Sequence, residues 1–449
     1  MTASEQLAQF AAGSKALPKL CREYKKESAT VHLKELVGGA LSFYAAAAVA
    51  KTGGVHIFVA EDRDAAAYLL NDFYNLLDEK QVYFFPSSYK RSVAYGAEDA
   101  QGVVQRTAAM NAVRGFTKGY LVVCTYPEAL AERVVDAATL QRDTIAVKLG
   151  DKISIAVLED ALADANFTRV DFVYEPGQYS VRGGIVDVFS YSESKPYRID
   201  FFGDEVDSIR RFNISSQLSA DKLDRVEIVP NLNAGEAPRV SFVQFAGSGA
   251  TCWFYDADYV LRRVNDLRRK VLADMEEPGR IDGLLTSRNV LLRDMAGNSV
   301  VALRDNLPER PATAAVVFDT APQPKFNKNF EMLADDMIRN SLRGYATYIL
   351  SENKVQVERL ENIFHQIGRG QAAVRSLSVT LHEGFVDNDL KLCLYTDHQI
   401  FDRYQRYRIN GEIRRDEQMT VAELNQLRPG DYVVHIDHGV GRFDGLVKI

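Results

Sequence analysis

The apolar run Val55–Ala60 (VHIFVA) stops abruptly at Glu61 and Asp62, and from Ala65 to Leu77 apolar residues then recur at helical spacing. A strand buried on both faces that feeds a helix reads this way. Val82–Phe85 and Tyr120–Thr125 (YLVVCT) repeat the strand signal, and Pro127 opens a helical run to Val134, a position where a missing N–H costs nothing. Parallel neighbours need a crossover, which a helix supplies, so this alternation predicts an α/β fold built on a parallel sheet. Nucleotide-driven motors use sheets of this kind.

Such a motor needs a phosphate loop: glycines so that backbone amides can wrap phosphate, a lysine to neutralise it, and Ser or Thr to hold magnesium. The place for it, ahead of Val55–Ala60, reads LVGGALSFYAAAAVAKTGG from Leu36 to Gly54. Counted from Gly38, the second glycine position holds Phe43, the lysine position Tyr44 and the hydroxyl position Ala45. No lysine occurs between Lys34 and Lys51, so a shift of register does not help. Nor does an apolar strand end in Asp-Glu to activate magnesium. Gly38 and Gly39 therefore read as a tight strand-to-helix turn rather than a nucleotide site. The sheet is expected to be a degenerate motor fold that neither binds nor hydrolyses ATP.

A length of 449 residues predicts about three domains, and 46% hydrophobic content is enough for several cores. The net charge of −7 gives no global field to hold DNA, so weak or no DNA binding is expected. Cys21, Cys124, Cys252 and Cys393 lie far apart and read as buried thiols of a reducing compartment. Thr2–Lys26 reads as a short amphipathic helix rather than an export signal, and no window approaches the ~18 apolar residues of a membrane span. A soluble, cytoplasmic chain without a membrane partner is expected.

Residues Tyr174 to Phe212 (YEPGQYSVRGGIVDVFSYSESKPYRIDFFGDEVDSIRRF) carry two strand-like runs around a polar turn. In Tyr197–Phe202 alternation points Tyr197, Ile199 and Phe201 one way and Arg198, Asp200 and Phe202 the other. Taken alone, Phe202 is either a docking residue or a ring covered by a neighbouring loop, and Arg198 is open to a weak surface pair with Asp200 or Asp204. The string closely resembles the segment shared by the excision-repair protein UvrB and the transcription-repair coupling factors, which binds the repair protein UvrA. The missing phosphate loop departs from UvrB, as does the interval Pro86–Gly102, too short for UvrB's DNA-clamping hairpin. Both departures fit the coupling factors.

The docking module is expected over residues 143–231, inserted between halves 1–142 and 232–320 of the degenerate helicase-like (RecA-like) domain. Leu158–Asn166 reads as a helix within it, and Ala250–Asp256 (ATCWFYD) with Ala257–Met275 as the strand and helix that resume the first domain. The lone Trp253 reads as core. A Pro-containing passage Ala321–Lys328, part of a linker over 321–329, leads to a small α/β domain over 330–410. There Phe330–Arg343 and Lys354–Ile367 read as helices, and Tyr345–Ser351, Leu377–Leu381 and Leu390–Thr396 as strands. His382–Phe401 resembles the end of the coupling factors' third domain, which gives His382, Glu383, Asp397 and His398 a non-catalytic setting rather than a metal or acid/base one. Aromatics and arginines interleaved over Phe401–Gln418 (Arg403, Tyr404, Arg406, Tyr407, Arg408, Arg414 and Arg415) are balanced by acids and read as a solvated linker, with 411–426 joining the next unit. Residues 427–449, LRPGDYVVHIDHGVGRFDGLVKI, resemble the opening of the Tudor-like, CarD-type RNA-polymerase-interacting domain. His435 and His438 there are a weak metal signal set in a turn. The stretch is too short to close a barrel.

The resemblance implies an N-terminal part of a coupling factor that recruits UvrA, with RNA polymerase as a second partner. It places ATP, magnesium and the DNA-translocating motor in further domains, with no cofactor and no catalytic or metal residue here. Carried over by position, Arg182 in SVRGG and Arg198 and Phe202 in PYRIDFF are the UvrA-contacting set. The rival readings are a UvrB-like ATP-dependent repair helicase, which would need a lysine between Leu36 and Gly54, and a CarD-like polymerase-binding regulator, which would leave most of the chain without a role.

Overall fold

The computed structural model describes residues 2–89, 98–214, 216–233, 237–275, 278–405, 407–409, 430, 432–435 and 439–442. Its centre is a sheet of seven strands in the order Ala314–Val317, Thr30–Lys34, Ser299–Ala302, Thr251–Phe254, Gly54–Val59, Tyr120–Thr125 and Val82–Phe84. All neighbours are parallel. Side chains on both faces of the central strands are buried, as their unbroken apolar runs require. Trp253 lies in this core, stacked on Phe58 at 5.0 Å.

Four of the strands come before residue 126 and three after residue 250, so the intervening chain is an excursion from one sheet. Its two ends meet, since Ile145–Lys148 pairs antiparallel with Arg225–Ile228. Between them lies a sheet of six strands, including Gln178–Arg182, Ile185–Val188, Tyr197–Phe202, Glu205–Phe212 and Ser219–Leu223. The helix Ile155–Asp164 places Leu158 and Leu162 in one core with Val186, Val188, Ile199, Val206 and Ile209.

A third unit has five strands in the order Thr320–Pro322, Phe385–Asp387, Leu392–Thr396, Ala346–Leu350 and Ser376–Leu377, with helices Phe330–Leu342 and Lys354–Gln366. Tyr432–His435 and Gly439–Arg442 form an antiparallel hairpin. The remainder of the expected barrel, His438 and the 411–426 linker, with Arg414 and Arg415, fall outside the described residues, as does Arg406. Among the described residues no helix is long and apolar enough to cross a membrane.

Several elements differ from the sequence reading. Thr30–Lys34 is a strand that five residues of modest alternation did not reveal. The glycine turn therefore closes that strand and opens the helix Ala40–Thr52, which alone separates it from Gly54–Val59. Thr2–Lys26 is two helices, Ala3–Ala12 and Ala16–Tyr24, the first fixed by a Thr2/Glu5 capping box. The helix opened by Pro127 stops at Ala131, because Val134–Val135 pairs with Arg239–Val240. The expected linker at Ala321 begins as strand, and its Pro322 is tolerated because the strand lies at the sheet's edge. Leu377–Leu381 is strand only at Ser376–Leu377, which pairs with Ala346–Leu350, and Phe385–Asp387 is a further strand, paired with Leu392–Thr396 on the other side of the sheet.

Candidate functional site

Tyr197–Phe202 turns through Gly203, whose φ of +62° suits glycine, into Glu205–Phe212. Tyr197 and Ile199 are buried, and Phe201 packs on the same core. Directly paired residues share a face, so the register assigns the outer face row by row. Ser180, Asp187, Arg198 and Arg210 form one row, and Arg182, Ile185, Asp200 and Ser208 the next. Phe202, opposite Glu205, completes it.

On this face Phe202 is 84% exposed. The two arginines are not free surface groups. The Arg198 side chain is 15% exposed and the Arg182 side chain 35%, and both are paired with an Asp187 side chain that is 1% exposed. Nε of Arg198 donates to Oδ1 of Asp187 at 2.7 Å, and its Nη2 donates to Oδ2 at 2.9 Å. Nη2 of Arg182 donates to the same Oδ2. The Arg198 guanidinium lies 4.4 Å from the ring centre of Phe212 and that of Arg182 lies 4.8 Å from Phe172. The hydrogen bonds to Asp187 hold the Arg198 pKa above its ordinary value, so it stays charged. The sequence reading offered Asp200 or Asp204 as partner for Arg198, but Asp200 instead accepts from Arg210 and Ser208. It overlooked Asp187 altogether. A lone acid inside the apolar run IVDVF was the available signal, because such a residue is rarely buried unless paired.

The glycine turn faces the third unit. Gly38 has φ +56°, and a Cβ on Gly39 would overlap the carbonyl oxygen of Glu383. Tyr44 is buried, its ring centre 4.6 Å from that of Phe318, and its hydroxyl donates to Oδ2 of Asp387 at 2.5 Å. Ala45 is buried as well. Beside the turn, at the carboxyl ends of the strands, is a cleft of about 370 Å³ whose lining includes Ser42, Glu61, Tyr68, Asp72 and Glu383, and no lysine or arginine among the described residues. Asp72 accepts from the Ser42 hydroxyl at 2.7 Å and the His382 amide at 2.6 Å. Burial pushes its pKa up to about 7.

His382, Glu383, Asp397 and His398 are brought near one another, yet the structure gives three of them other tasks. The His382 ring stacks on Tyr68 at 3.7 Å. A ring nitrogen of His398 bonds the His382 carbonyl at 2.9 Å, and Asp397 accepts from Ser351 and Arg403.

Residues 145–233 match the UvrB interaction domain family and residues 427–449 the CarD-like/TRCF RID domain family. The chain is also 23% identical to the transcription-repair-coupling factor of Bacillus subtilis over 504 aligned positions, covering 92% of this chain and 42% of that protein. The Escherichia coli protein of the same name is 23% identical over 489 positions, covering 93% of this chain and 42% of the relative. The chain is a relative of the transcription-repair-coupling factors. It spans 42% of the length of these relatives. The stretch matched by the UvrB interaction domain begins at the strand Ile145–Lys148 and contains Arg182, Asp187, Arg198 and Phe202, whereas the glycine turn lies outside it.

Proposed function

We propose that this chain is the recruiting part of a transcription-repair coupling factor and docks UvrA through Arg182, Arg198 and Phe202. The observation that carries the reading is Phe202, a fully projecting aromatic on the same face as two guanidiniums, within the stretch matched by the UvrB interaction domain. An exposed ring invites a socket on the partner and the guanidiniums invite carboxylates, which is the make-up of an interface hot spot. The CarD-like match at 427–449 adds RNA polymerase as a second partner. The whole protein would displace a stalled polymerase by ATP-driven movement along DNA, with ATP and magnesium held by motor domains beyond this chain.

In this reading the seven-stranded sheet is a helicase-like fold that has given up its nucleotide, and the docking module is inserted in it. The turn does not suit a phosphate: Tyr44 stands where a cation is needed, Gly39 abuts the Glu383 carbonyl, and the adjoining cleft carries acids. The UvrB-like alternative loses support on the same grounds. Titration of UvrA into the chain and its Phe202→Ala variant tests the proposal. Loss of affinity by a folded variant is the expected result, and equal affinity overturns it.

A further inference from the structure

The two arginines of the docking face converge on one buried carboxylate. Asp187 sits between them, on the strand that separates Gln178–Arg182 from Tyr197–Phe202. Two guanidiniums around one carboxylate leave a surplus positive charge, which suits an acidic partner. The arrangement also reaches beyond the sheet. Nη1 of Arg198 donates to the Gln217 carbonyl at 3.2 Å, and Gln217, at φ +57°, holds a conformation that a side chain adopts only under constraint. Nη1 of Arg182 donates to the Asp171 carbonyl at 3.2 Å. Each guanidinium thus pins a loop, and each loop presents an exposed apolar residue beside the pinned carbonyl: Leu218 on one side, Phe172 on the other.

We propose that Asp187 is a positioning residue for partner docking, which holds Arg182 and Arg198 in the orientation that offers Arg182 to the partner's acids and keeps Phe172 and Leu218 in place around them. Arg198 spends Nε, Nη1 and Nη2 on Asp187 and Gln217, so it acts mainly through this arrangement. Arg182 is the more exposed and is the cation the partner meets. The inference rests on the UvrA reading above and adds residues to it.

The test is UvrA titration of the full chain and of Asp187→Asn, Arg182→Ala, their double variant and Phe202→Ala, each with a thermal melt. Asp187→Asn keeps the shape and removes the charge. It is expected to weaken UvrA at least ~10-fold, with the double variant within about twofold of the worse single, because residues acting through one another are not additive. A purely structural role would not give that coupling. A folded Asp187→Asn that binds within about twofold of the parent, or tighter, overturns the inference, and so do fully additive losses. Should Asp187→Asn not fold, Arg198→Lys replaces it: a lysine keeps the charge but cannot make the fork. It is expected to weaken UvrA comparably, and parent-like binding overturns the inference. Phe202→Ala separates the two levels. If it is silent, the docking reading itself fails; if it weakens binding while Asp187→Asn does not, only the role of Asp187 falls.

Discussion

The Tyr44 hydroxyl donates to the Asp387 carboxylate at 2.5 Å, across 343 positions of chain, tying the helix that follows the glycine turn to the third sheet. Burial raises the pKa of both groups, so at neutral pH the phenol keeps its proton and remains the donor. Tyr44→Phe leaves a buried carboxylate one bond short and is expected to cost about 1–3 kcal/mol in chemical denaturation. Tyr44→Lys, the residue type of a phosphate loop, must also bury an ammonium in a space shaped for a ring, and is expected to cost more. Parent-like stability of Tyr44→Phe would show that the bond carries no weight.

The same geometry predicts the nucleotide response. With no cation among the described residues that line the cleft, and Glu61 and Glu383 beside the buried Asp72, a triphosphate meets acidic groups and no neutralising charge. Calorimetry with ATP and magnesium is expected to give no micromolar heat, and phosphate release no turnover. Micromolar binding that Tyr44→Ala alters would overturn the proposal of an abandoned site.

How far the sequence disclosed this follows from what each signal measures. Val55–Ala60, Tyr120–Thr125 and Ala257–Met275 were legible because burial on both faces of a strand writes an unbroken apolar run and burial of one helical stripe writes a period. Thr30–Lys34 and Phe385–Asp387 are too short to write either, and each has a partner strand far away in sequence, Ser299–Ala302 for the first and Thr320–Pro322 for the second. The outer position of Phe202 and the inner one of Ile199 followed from alternation alone. The capture of Arg198 by Asp187 did not, since alternation gives a side chain its face but not its neighbour on the next strand.

Asp72 gives the structure a pH dependence of known sign. Its pKa is about 7 when folded and near the ordinary 3.8 when unfolded, so between those values the folded chain holds the extra proton. Stability from this group is therefore greatest at the acid end of the window and is lost as pH rises towards about 7. His56, lowered to about 4 by burial, acts in the opposite sense over part of the range, so the chain must be compared with its own variant. Relative to the parent, Asp72→Asn is expected to gain melting temperature from pH 5 to about pH 7 and to level off above it. A constant difference across that range would refute the assignment.

The opposite faces of Tyr197–Phe202 separate folding from docking. Ile199 is fully buried among Val186, Val206 and Ile209, so Ile199→Ala removes packed methyl groups and is expected to destabilise by ~2–5 kcal/mol. Phe202 projects into solvent, and Phe202→Ala is expected to move stability by less than ~0.5 kcal/mol. Its effect belongs to the interface, where truncating a desolvated ring costs ~2 kcal/mol or more, about 30-fold in affinity for UvrA. Arg198→Ala is not the clean binding variant that its place in the sequence implies. It strips a forked partner from a buried carboxylate and is expected to cost ~1–3 kcal/mol of stability as well. Melts and UvrA titrations of the three variants, run side by side, therefore have distinct signatures: stability alone for Ile199→Ala, binding alone for Phe202→Ala, both for Arg198→Ala. A Phe202→Ala chain that melts well below the parent would mean that the ring packs against the fold and is not a free anchor.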